Sequence, residues 1–241
     1  TCNVGNFERR VRTNFNLRWR DKKVQGLSYG LNTNYMIAGS ASSLITLDTD
    51  SGLYSNYPGS QSIGQSFTWY LDPFITYVKE NTKHSLRNRW YHNDERNNNA
   101  QSNASDVYFT EYQYSHKFTG LDLNLTAGVM TSLTYSSAAL YAANADSSGI
   151  NDGMNNAIYA QIDKKFGKLN VSGGARYERF EINGDGEARP VFRAGLNYPI
   201  MKYTFLRASY GQGFRFPTIA ERYVTTSLGP VNVFANPDVK S

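Results

Sequence analysis

VRTNFNLRWR, residues 11–20, carries the plainest structural signal in the chain. Val11, Thr13, Phe15, Leu17 and Trp19 fill its odd positions; Arg12, Asn14, Asn16, Arg18 and Arg20 fill the even ones. A period of two puts the first set on one face of a strand and the second on the other. A helical period aligns Val11, Phe15 and Trp19 but throws Leu17 to the opposite side. The alternation returns after the turn DKKVQG. There Leu27, Tyr29, Leu31, Tyr35 and Ile37 face one way, and Ser28, Gly30, Asn32 and Asn34 the other.

Carried along the chain, the pattern predicts about ten strands. Phe67, Trp69, Leu71, Ile75 and Tyr77 form the apolar stripe of the third. Leu86 and Trp90 oppose Arg87 and Arg89 in the fourth, and Tyr108, Thr110, Tyr112 and Tyr114 alternate in the fifth. Leu123 to Leu133, Ile158 to Ile162, Leu169 to Tyr177, Phe192 to Tyr198 and Leu206 to Tyr210 supply the rest. The odd-numbered connections are short, the second, fourth and sixth are long, and the eighth, NGDGEA, is intermediate. The fourth is the polar run HNDERNNNAQSNAS. Long loops confined to one end point to an all-β, antiparallel transmembrane barrel, with short inner turns and long outer loops. Trp19, Tyr29, Tyr77 and Phe118 then fall at the inner rim, and Tyr35, Trp69, Trp90, Tyr108 and Tyr135 at the outer one, as two aromatic girdles. Leu125 is expected to face lipid near the midplane and Asn124 the lumen. Pro73 removes a ladder donor inside the third strand, so a bulge or local break is expected at Asp72-Pro73.

Composition supports this class. The chain has 241 residues, with 18 Tyr, 13 Phe and 3 Trp. No apolar run approaches the roughly 20 residues of a membrane helix. The charge of +5 comes from dispersed residues rather than a basic stripe, which argues against a nucleic-acid partner. Cys2 is the single cysteine, so neither an internal disulfide nor a cysteine zinc site can form. No signal-peptide core precedes the first strand, and both ends read as cuts through a longer protein.

The polar face concentrates arginine: Arg12, Arg18, Arg87, Arg89, Arg176, Arg193 and Arg207 are the lumen-facing basic candidates, with Arg10 and Arg20 beside them. The plain reading is hydration and pairing with acids such as Glu178; the sharper one is a cationic path for anionic solutes. Catalytic patterns are weak. His84, His92 and His116 lie on separate strands or strand ends without metal-ligand spacing, and no GxSxG occurs. A calcium loop counted from Asp48, through Asp50, fails because Leu53 and Gly59 stand where Gly and Glu are needed. GQGFRFP has two glycines of a dinucleotide fingerprint and no βαβ unit around it. No catalytic residue, metal or cofactor is therefore expected, and the chain is not read as an enzyme.

LRASYGQGFRFPTIAERY, residues 206–223, followed by NPDVKS, resembles the late-barrel boxes of TonB-dependent outer-membrane receptors. The matching positions are Tyr210, Gly211, Gly213, Phe214, Arg215, Pro217 and Glu221, then Asn236, Pro237, Asp238 and Lys240. Phe216 stands for the usual Ala and Val239 for the usual Leu. DPFITYVKENTKHSLRNRWY resembles the middle of such barrels. The resemblance implies a plugged barrel of about 22 strands, of which residues 1–241 are a partial barrel domain of about ten strands, with the plug and final strands absent. It also implies a bacterial outer-membrane location, the lipid bilayer and TonB as partners, and energised uptake of a scarce nutrient. A ferric siderophore is the best-fitting ligand, ahead of haem or cobalamin. The haem branch often carries a histidine between the two boxes, and TIAERYVTTSLGPVNVFA has none. Two other classes share parts of the pattern: a passive porin, which lacks a plug, and a soluble β-rich binding or adhesion module, whose stripes would need a second layer.

Overall fold

The computed structural model describes residues 6–43, 56–98, 101–141, 148–228 and 231–239. Ten strands form one antiparallel sheet in sequence order: β1 Phe7–Arg20, β2 Leu27–Ser43, β3 Gln61–Lys79, β4 Thr82–Asn97, β5 Asn103–Phe118, β6 Leu123–Ala138, β7 Ile150–Phe166, β8 Leu169–Ile182, β9 Asp185–Met201 and β10 Thr204–Gly211. Beyond them lie α1 Ile219–Tyr223 and a small hairpin, β11 Thr226–Leu228 with β12 Val231–Val233. The sheet is a meander, so every pairing is between chain neighbours, and it is open at β1 and β10.

Register keeps like residues together. Trp19 pairs Tyr29, Leu17 pairs Leu31 and Val11 pairs Ile37 on one face, while Arg18 pairs Gly30 and Asn14 pairs Asn34 on the other. Among the described residues no second layer covers the apolar face: Val11 is 73% exposed and Ile158 57%. A face this apolar is stable only against lipid or another apolar surface. Its aromatics form contacts along the end that carries the longer connections. Trp69 packs on Trp90 at 4.6 Å, Trp90 on Tyr108 at 5.6 Å and Tyr108 on Tyr135 at 6.2 Å. At the opposite end Trp19 stacks on Tyr29 at 6.1 Å, and Phe118 packs on His116 at 4.4 Å.

Two expectations need correction, and a third resolves to one of its alternatives. The fourth and eighth connections are short: β4 runs to Asn97 and β5 starts at Asn103, while only Asn183 and Gly184 separate β8 from β9. The polar residues taken for loop are strand. Beyond the membrane both faces are wet, and alternation of hydrophobicity disappears although the ladder continues. Hence β3, with 19 residues, is about 60 Å long, against an apolar band about 25 Å tall. Second, Leu125 is the third residue of β6 and pairs His116 beside Phe118, so it lies near the inner girdle; Val129 and Ile158 occupy the middle of the band. Third, of the bulge or local break expected at Asp72-Pro73, the structure has the break. The β2 ladder runs straight through the Leu31–Pro73 pair. On the β4 side pairing stops at Leu71–Trp90 and resumes at Phe74–Arg87 with the register unchanged.

Candidate functional site

Asp72 and Arg89 face each other across that gap, and Arg89 donates two hydrogen bonds to the carboxylate at 2.7 and 2.6 Å. A bidentate ion pair replaces the missing ladder bond. It begins a network along the polar face. Arg87 donates to Glu111 at 2.6 Å, and the Tyr159 hydroxyl donates to the same carboxylate at 2.7 Å. Tyr159 reaches from β7 across β6 to β5, passing over Gly128. A Cβ at Gly128 would sit 2.5 Å from the Tyr159 hydroxyl and 2.8 Å from the Tyr112 carbonyl. Gly128→Ala therefore detaches Tyr159 from Glu111 and costs about 1–3 kcal/mol in refolding titrations; an unchanged midpoint would refute the crossing.

Arg176 continues the network, donating to Glu178 at 3.0 and 2.7 Å, and Asn155 donates to the same carboxylate at 3.0 Å. Of the seven basic candidates, Arg87, Arg89 and Arg176 are thus ion-paired. The others bond neutral acceptors: Arg12 to the Met36 sulfur at 3.1 Å, Arg18 to Ser28 at 3.0 Å, Arg207 to Asn197 at 3.3 Å and Arg193 to the Gln161 amide oxygen. All seven share the polar face. Pairing with Glu178 holds for Arg176, and the charge of the middle strands is largely compensated.

The second constellation lies at the end with the longer connections. After β10, Gln212 bonds both backbone groups of Phe192, at 3.0 Å each, and the chain leaves the sheet. It folds back along the polar face instead of projecting away. Phe216 (8% exposed) and Tyr223 pack with Ile182, and Phe214 and Ile219 lie against them. Phe216 stacks on Phe180 at 5.8 Å. Arg222, 6% exposed, donates to Asp185 at 2.7 Å and lies over the Phe216 ring at 4.8 Å. Thr225 bonds the Leu140 carbonyl at 2.8 Å, and Gln101 donates to Thr226 at 2.7 Å. The segment thereby touches two of the connections at this end, β4–β5 and β6–β7, and the first residue of β9 beside a third.

Thr218 and Glu221 close a capping box on α1. Glu221 accepts from the Thr218 backbone at 2.8 Å and its hydroxyl at 3.0 Å, and pairs with Arg215. The Thr218 backbone bond, then its hydroxyl, then Arg215 hold the Glu221 carboxyl below its ordinary value of 4.5. Because the folded value is depressed, the cap is complete above about pH 4.5 and fails as pH falls through the lower folded value. Amide exchange of Glu221 to Tyr223 should accelerate over that interval, and Glu221→Gln should flatten the acid-induced change. Acceleration identical in the variant would exclude Glu221 as the cause.

The boxes named from sequence are only partly gathered. Tyr210 sits on the apolar face of β10 opposite Ala194, and Gly211 ends the strand opposite Arg193. Gly213 makes no close approach. Phe214, Arg215, Pro217 and Glu221 belong to the folded-back segment. Asn236, Pro237 and Asp238 form a separate turn, closed by Val239 on the Asn236 carbonyl at 3.3 Å. Lys240, Cys2, Asp48 and Asp50 lie outside the described residues. His84 and His92 share β4, and no cluster of metal-binding side chains occurs among the described residues. Sequence reading passed over Phe180, Ile182 and Arg222. Phe180 and Ile182 carry a detectable signal, because apolar residues on an otherwise polar face demand a cover.

Residues 3–241 match the family described as TonB dependent receptor-like, beta-barrel. No curated protein matches in sequence. Among solved structures, the unliganded ferric citrate transporter FecA superposes with TM-score 0.59 at 14% identity, over 85% of this chain and 36% of its own. The alcaligin outer-membrane receptor FauA from Bordetella pertussis gives 0.54 at 15% identity, over 85% of this chain and 35% of its own. The chain thus spans about a third of the length of either structure.

Proposed function

The chain belongs to the TonB-dependent receptor β-barrel family, and from that premise we propose that it is a wall segment of a receptor that takes up a scarce nutrient by TonB-driven transport. It lies in the bacterial outer membrane, apolar face to lipid and polar face to lumen. The working ligand is a ferric siderophore; the names of FecA and FauA, a ferric citrate transporter and an alcaligin receptor, motivate that choice. TonB acts on a plug that this segment does not include.

The observation that carries the reading is the fold-back of residues 212–228 onto the lumen face, joined to an ion-paired wall. In a receptor an ordered segment on the lumen face supplies a pre-formed surface that holds solute until transport is triggered. The wall's part is positioning and charge compensation; no covalent step is assigned to it.

Uptake of radiolabelled iron on a panel of siderophores, in a strain lacking the full-length gene, tests the proposal. Loss of uptake of at least one chelate, reproduced by deleting TonB, is expected. Uptake that depends on the gene but is indifferent to TonB would return it to the passive-channel class.

A further inference from the structure

Between the folded-back segment and the wall lies a cavity of about 460 Å³. Its size is in the range that holds a small molecule. Ser105, Ser132, Thr134, Ser136 and Asn155 supply its polar lining from β5, β6 and β7, and Phe216 helps to close it. The register explains how they converge. Ser132 pairs Asn155, which pairs Phe180, in one row across the polar face. Thr134 pairs Gly153, which pairs Ile182, in the next, and Ser136 pairs Ser105.

We propose that this cavity binds an uncharged, polyhydroxylated unit, such as a sugar ring, of the molecule the receptor takes up. The proposal rests on the uptake reading above and specifies the chemistry of its ligand. Three observations carry it. The Asn155 amide oxygen is buried and has no hydrogen-bond donor among the described residues, while the amide nitrogen donates to Glu178. A buried acceptor of this kind is stabilised by a donor and repelled by an anion. The hydroxyls of Ser105, Ser132, Thr134 and Ser136 make no side-chain hydrogen bond with the described residues, so donors and acceptors stand free side by side.

Among the described residues the lining also contains no basic side chain. Glu181, whose backbone borders the cavity, lies on the apolar face with its carboxylate paired to Arg179 at 2.9 Å. A site without a cation does not select an anionic chelate. Phe180 and Phe216 add apolar surface against which the C–H face of a ring can lie. The departure of Phe216 from the family's usual Ala thus has a use beyond packing.

Gly153 makes the proposal testable. A Cβ there would meet nothing closer than the Thr134 Cβ at 3.7 Å, so a side chain can be added without displacing backbone. Gly153→Leu then projects into the cavity. Saturation-transfer NMR on the full-length receptor in detergent would use maltose, sucrose and trehalose as neutral probes and gallium citrate as the anionic one. Saturation of at least one neutral disaccharide is expected, weakened about tenfold or more by Gly153→Leu and about threefold by Ser132→Ala. If Gly153→Leu loses its heat-modifiable folded band, Ser132→Ala combined with Thr134→Val decides the same point. The proposal is overturned if only water fills the cavity and no neutral probe is saturated. It is equally overturned if gallium citrate displaces the probes, or if the folded variants bind as the parent does. Binding to purified receptor does not involve TonB, so TonB-independent uptake would refute the transport reading and leave this result standing.

Discussion

Val129→Arg lowers the stability of the full-length receptor by about 2–4 kcal/mol, the cost of a cation at the bilayer midplane. Val129 is the seventh residue of β6, pairs Tyr112 and Ile158, and is half-exposed on the apolar face. Its neighbour Met130 points the other way and pairs Glu111. Arginine at 130 enters the lumen beside a carboxylate, and its cost should stay under about 1 kcal/mol. Urea titrations in lipid vesicles measure both. Similar costs at 129 and 130 would mean that the faces are assigned wrongly. Leu125→Arg should fall between them, because Leu125 sits near the inner girdle, where depth-dependent costs decline.

Phe216→Ala should release the folded-back segment while leaving the sheet intact. Truncating a buried phenylalanine costs about 3–5 kcal/mol. Phe216 borders a cavity, so the lower figure applies. Two contacts go with it, the stacked Phe180 ring and the Arg222 guanidinium. Arg222 is left buried with only Asp185, and its Nε already lacks a partner among the described residues. About 3 kcal/mol is roughly a hundredfold rise in local opening. Limited proteolysis between Gln212 and Thr226 should speed up by that order, with the urea midpoint of the barrel unchanged. A midpoint that moves with the proteolysis rate would mean that the segment and the wall unfold together.

Legibility in the sequence followed the environment of each stretch. Where one face meets lipid and the other water, as in residues 11–20, alternation is complete, and face, strand and pairing could be read from it. Where both faces are wet, as from His92 to Asn97, the same ladder carries no hydrophobic period and reads as loop. Gly128 and Gly174 carry no pattern of their own in the sequence, yet the first clears the way for Tyr159. The second lies on β8, between Arg193 of β9 and Gln161 of β7, which are hydrogen-bonded to each other. Such reach across a strand depends on three elements at once, so no local pattern encodes it. The family boxes were visible as residues, but their inward course was not. It is set by Phe180 and Ile182, thirty or more positions upstream.

Under the proposed receptor function, the height of the wall bears on the thermodynamics of capture. From Trp90 in the outer girdle, β4 continues for seven residues to Asn97, roughly 20 Å of hydrogen-bonded backbone standing clear of the bilayer. Ordinary binding loops must be immobilised when a solute arrives, and that lost freedom subtracts from affinity. Here the collar is already ordered by its ladder, so the entropy of arranging the recognition surface belongs to folding. A solute meeting this rim gives up mainly its own translation and rotation.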